Sequence, residues 1–136
     1  MASEAITALW AVVRREMSDI HEHLQARVGG EWWFEADPPF ENCFTDWHAS
    51  VEVYGRPTFI RGRCISLAVG LADSPYHRPR PLVEVLAKIS EQPWPRNAII
   101  AVRTIKPPLD DPDREVETLV ADFGRQFVEF AAMWRG

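Results

Sequence analysis

Two long apolar stripes at helical spacing bracket this chain and constrain its fold more than any other feature. From Ser3 to about Val28, the residues Ile6, Leu9, Trp10, Val13, Met17, Ile20, Leu24 and Val28 recur three and four apart. That repeat lines one face of an α-helix. Ser3 can cap its start, and Gly29-Gly30 can end it, because glycine accepts the left-handed conformation that helix C-termini favour. The second stripe runs from Val116 through Leu119, Val120, Phe123, Phe127, Phe130 and Ala131 to Trp134. Asp111 is placed as its N-cap and Pro112 as its first residue. Asp113 and Glu115 complement the positive helix end. Gly124 inside this helix either permits a close helix crossing or has no structural role.

Between the stripes the periodicity turns to two. Residues 31–36 read as a short strand with Trp32 and Phe34 on one face and Trp33 on the other, ended by Asp37-Pro38-Pro39. From Phe44 to Tyr54, the residues Thr45, Trp47, Ala49, Val51 and Val53 share one face. Asp46, His48, Ser50 and Glu52 share the other, which is largely polar. Gly55-Arg56-Pro57 supplies a turn, and Thr58 to about Leu71 reads as the returning strand of a hairpin. One face of that strand is nearly all small, namely Gly62, Cys64, Ser66, Ala68 and Gly70. Such a face suits close approach of a helix, unless Gly62 marks a bulge that reverses the register. Pro81 to about Ser90 reads as a short helix with Leu82, Val85, Leu86 and Ile89 inward. Residues 97–105, almost continuously apolar, read as a central strand covered on both faces. The expectation is one α+β domain spanning residues 1–136 in the order α-β-β-β-α-β-α. It comprises a mostly antiparallel sheet of about four strands with long terminal helices and a short middle helix.

A chain of 136 residues can bury about two thirds of its unfolded surface without a metal or disulfide. Its net charge of −5 disfavours nucleic acid and anionic membranes, because the one basic stretch is His77-Arg78-Pro79-Arg80. Arg14, Arg15 and Glu16 interrupt the first helix where a signal peptide needs apolar residues. No apolar run is long enough to span a bilayer, so a cytoplasmic location is expected, with Cys43 and Cys64 reduced. His21 and His23 splay apart on a helix, so they suit no metal, and neither a metal nor a cofactor is expected.

Two sets of residues are candidates for a site. Surplus aromatics in strands and proline-rich loops, Trp32, Trp33, Tyr76 and Trp94, resemble the anchors of protein interfaces. Alternatively, Asp46, His48 and Glu52 could form a polar pocket with Arg61 and Arg63 of the neighbouring strand. Pairing Tyr54 with Phe59 would set Glu52 opposite Arg61. A solvated sheet face with cross-strand ion pairs accounts for the same residues and is preferred. Cys64 and His48 would then point to opposite faces, which counts against a thiol–imidazole pair.

The element order, the small acidic character and the aromatic ending Phe127-Val128-Glu129-Phe130-Ala131-Ala132-Met133-Trp134 are similar to those of type III secretion chaperones. That resemblance implies a protein that pairs with itself and holds a segment of another protein in an extended state. It carries over no individual residue. The expected function is therefore a non-enzymatic protein-binding module, chaperone-like or immunity-type, acting on another protein or pairing as a homodimer. A small-molecule-binding protein or enzyme with the polar pocket is the alternative.

Overall fold

The computed structural model describes residues 4–41, 46–57, 63–74, 82–93, 98–106 and 108–133. The chain begins with helix α1 (Glu4–Arg27). Five strands follow: β1 (Glu31–Glu41), β2 (Trp47–Arg56), β3 (Arg63–Ser74), β4 (Leu82–Pro93) and β5 (Ala98–Ile105). Helix α2 (Pro112–Met133) closes it. The sheet is an antiparallel meander in the order β1-β2-β3-β4-β5. No helix among the described residues is long and apolar enough to cross a membrane.

Both helical stripes form as expected. Ile6, Leu9, Val13, Met17 and Leu24 of α1 are buried, as are Val116, Leu119, Val120, Phe123 and Phe127 of α2. Both pack on one face of the sheet, against Val51 and Val53 of β2, Ile65, Leu67 and Val69 of β3, and Val85 and Ile89 of β4. The Asp111 side chain accepts a hydrogen bond from the Arg114 backbone N–H (3.4 Å). Glu115 reaches back to accept one from the Asp111 N–H (3.1 Å). Two orphan donors of the helix start are thereby satisfied. Gly124 faces Ile20 of α1, whose side chain a Cβ would overlap. The glycine leaves the space that the Ile20 side chain of α1 fills. Ser3 and Trp134 lie outside the described residues.

Four expectations are corrected. First, residues 82–93 form a strand, so there are five strands and no middle helix among the described residues. Leu82, Val85, Leu86 and Ile89 fit a helix, but Val83, Val85, Ala87 and Ile89 fit a strand equally well. Those four are the buried apolar side chains of the strand. The β-branched Val83, Val85 and Ile89 favour the strand, and β3 and β5 on either side complete its hydrogen bonds.

Second, β1 does not stop at Asp37 but continues to Glu41, with a register shift between Asp37 and Phe40. An edge strand tolerates Pro38 and Pro39, because one row of its backbone groups has no ladder to join. Third, β5 is an edge strand and not a central one. Fourth, the β2–β3 hairpin pairs Tyr54 with Ser66 and Glu52 with Ala68. Gly55 and Arg56 belong to β2 and do not form its turn. Both helices lie over the large-residue face of β3, leaving its small-residue face uncovered among the described residues. Gly62 itself lies outside them.

Candidate functional site: the uncovered face of the sheet

The face turned away from the helices is built from cross-strand rows, each dictated by the two-residue period of the strands. One row runs Trp33, Tyr54, Ser66, Ser90 and Ile99. The next runs Glu35, Glu52, Ala68, Lys88 and Val102. A third runs Asp37, Ser50, Gly70, Leu86 and Thr104. His48, Ala72 and Glu84 follow, with Phe40 across from His48. Side chains are small along β3 and larger on both flanks. The result is a trough of about 430 Å³ at the Gly70–Ala72 end, lined by Phe40, His48, Ser50, Leu86 and Glu84 among others.

The β1–β2 flank is aromatic and acidic. Trp33 stacks on Tyr54, with ring centroids 5.7 Å apart and an interplanar angle of 22°. Trp33 remains 41% exposed despite that partner, so a broad aromatic surface stays available. The Tyr54 hydroxyl donates to Glu35 Oε1 (2.9 Å), and the Ser50 hydroxyl donates to Asp37 Oδ2 (3.3 Å). The Phe40 and His48 rings sit 6.0 Å apart. Glu52 is half-buried and accepts a hydrogen bond from the Ser66 hydroxyl (3.1 Å). Burial pushes its carboxyl above the usual carboxylate value. The Ser66 hydrogen bond opposes that shift, the Glu35 carboxylate directly across the ladder adds to it, Lys88 opposes it and Asp37 adds to it.

That upward shift has a definite sign for stability. The folded chain holds the Glu52 proton to higher pH than the unfolded chain does. Stability therefore falls as pH rises from the unfolded value through the folded one. Glu52→Gln keeps an acceptor for Ser66 and removes the like charge opposite Glu35. It is expected to flatten this fall. At neutral pH it should stabilise by up to about 1 kcal/mol, the scale of a cross-strand charge pair, less solvent screening. Urea unfolding of both forms across the acidic to neutral range checks this. A steeper fall in the variant would refute it.

Comparison with protein families, with curated proteins and with solved structures finds no match.

Trp33 stands on the uncovered face, whereas Trp32 is buried against Phe127, edge-on at 5.9 Å, and offers no surface. Tyr76, Trp94 and Arg61 lie outside the described residues. Arg63 begins β3 and pairs in register with Pro93 of β4, not with Ser50. Glu52 and His48 share the open face but stand four residues apart on β2, about 13 Å along the strand. Asp46 precedes β2. Glu52 and His48 therefore do not meet, and of the polar set only His48 lines the trough among the described residues.

His48 and Cys64 stand on one face after all. In register, however, His48 is opposite Ala72, eight residues or about 27 Å along β3 from Cys64. Burial also holds the Cys64 thiol above its ordinary pKa, with Arg56 opposing and Glu52 adding. No group of His, Cys, Asp and Glu among the described residues could hold a metal ion. His21 Nε2 donates to the Trp32 carbonyl oxygen (3.2 Å), and its ring lies beside Phe34.

Phe40, Ile99 and Val102 join this face without having been singled out in the sequence, and Leu86, expected inward on a helix, joins it too. Two signals could have found them. Reading residues 82–90 at period two puts Leu86 beside Gly70. Extending β1 past its prolines brings Phe40 to His48.

Proposed function

We propose that this chain is a non-enzymatic protein-binding module, chaperone-like or immunity-type, that takes a segment of another protein on the uncovered sheet face. One observation carries the reading: the face opposite both helices holds an exposed aromatic pair, Trp33 on Tyr54, and, about 13 Å along β2 from it, a trough floored by small residues. Glycine and alanine let a partner's backbone approach the sheet closely. Trp33, Phe40 and Leu86 supply the apolar anchors that dominate interface energetics. Glu35, Asp37 and Glu52 on the β1–β2 flank favour a partner whose apolar residues are flanked by basic ones.

Affinity capture from native lysate with the wild type, Trp33→Ala and Leu86→Glu tests this reading. The expected result is a partner held by the wild type and lost by both variants. Truncating an anchor should weaken binding by about 2 kcal/mol or more, roughly thirtyfold. Unchanged circular dichroism would show that the variants are folded. Equal recovery by all three would refute the reading. The trough volume also falls in the range of small-molecule sites. A tight small-molecule ligand displaced by His48→Ala, with no protein captured, would favour the alternative of a ligand-binding protein.

A further inference from the structure

The two edges of the sheet are treated very differently by the sequence. Edge strand β1 carries Glu31, Glu35, Asp37 and Glu41 together with Pro38 and Pro39. Charges and prolines are the devices that keep an edge from pairing with another chain. Edge strand β5, Ala-Ile-Ile-Ala-Val-Arg-Thr-Ile, has no proline and a single charge, Arg103. Three of its aliphatic side chains are exposed, Ile99 by 61%, Ile100 by 47% and Val102 by 54%, while Ala101 and Ile105 pack against the core. Among the described residues no strand lies beyond it. A strand with the composition of a fully covered one thus stands at an open edge.

We infer that β5 pairs antiparallel with β5 of a second copy of this chain, joining two sheets into one of ten strands. The strand is complementary to itself in this pairing. A two-fold axis perpendicular to the sheet at Val102 sets Val102 opposite its own mate. The same register places Arg103 opposite the small Ala101, so the one charge never meets its own copy. A register centred on Arg103 would instead oppose two guanidinium groups, which disfavours it. Pairing β5 with β1 of another copy would repeat without closing and would meet Pro38 and Pro39. In the closed dimer all four helices share one side, and the two uncovered faces become continuous. The interface is one strand wide, at the small end of stable interfaces, so association in the micromolar range is expected. The inference stands apart from the proposed function, because it concerns the sheet edge and not the trough.

Sedimentation velocity of the full chain over a concentration series tests it, with Val102→Lys, Val102→Thr and Trp33→Ala alongside. The expected result is a concentration-dependent dimer for the wild type, Val102→Thr and Trp33→Ala. Dimerisation should be weakened about tenfold or more by Val102→Lys, which opposes two charges at the axis. Val102 is exposed, so the lysine variant should retain its circular dichroism. Val102→Cys should cross-link to itself under mild oxidation, whereas Met133→Cys should not. A monomer at every concentration overturns the proposal. So does a dimer indifferent to Val102→Lys, or an open-ended polymer.

Discussion

Replacing Phe127 with alanine is expected to cost about 3–5 kcal/mol, the range for removing a buried aromatic from a packed core. The side chain is fully buried in α2, meets Trp32 of β1 edge-on, and lies where both helices meet the sheet. A domain of this size is typically stable by about 5–15 kcal/mol, so this one change removes a large part of the total. The thermal midpoint should fall by about 10–20 °C. In urea the midpoint concentration should fall with little change in slope. Met133→Ala on the same helix is the control. Met133 is exposed, so that change should stay within about 0.5 kcal/mol. If the two variants melt together, Phe127 is not a keystone of this core.

The second large effect is expected at the junction of α1 and β1. Gly30 has φ of +114°, a conformation essentially closed to side chains. A Cβ there would also overlap the Arg56 carbonyl oxygen at the end of β2. The obstacle is backbone, so no rotamer change relieves it, and β1 would have to move away from β2. Gly30→Ala is expected to cost about 2–4 kcal/mol from strain and lost strand pairing. Its neighbour makes a sharp comparison. A Cβ on Gly29 would meet nothing within 4 Å, so Gly29→Ala should be nearly neutral. Chemical denaturation of the two single variants decides the matter, and equal midpoints would refute the distinction.

Gly29 and Gly30 also mark where the sequence stops being readable. Both advertise a helix end, but only the register of β1 against β2 makes one of them irreplaceable. The helices were legible because each carries its own repeat over many residues, and the caps of α2 are local. The faces of β1 and β2 were legible for the same reason, and so was Trp33 opposite in direction to Trp32. Residues 82–93 were not, because over so short a span valine and isoleucine satisfy both periods until neighbours on each side are known. β5 was misplaced because an apolar run reports which side chains avoid water, not which strand happens to be outermost. The polar set around His48 and Glu52 depended on a hairpin register, which the length of the connecting loop decides.

Gly124 against Ile20 has a consequence for the route by which the chain folds. Every strand pairs with its neighbour in sequence, so the whole sheet can be assembled from local hairpins. The docking of α2 on α1 and against Trp32 of β1 brings distant parts of the described chain together, and loop closure makes such contacts slow to reward. During synthesis the five strands and α1 emerge before α2 does. In that interval Leu67, Val85 and Ile89 have lost their unfolded freedom but lack part of their cover. The interval between the last strand and the last helix is therefore when this chain is most exposed to aggregation. The contact of Gly124 with Ile20 forms only when that interval ends.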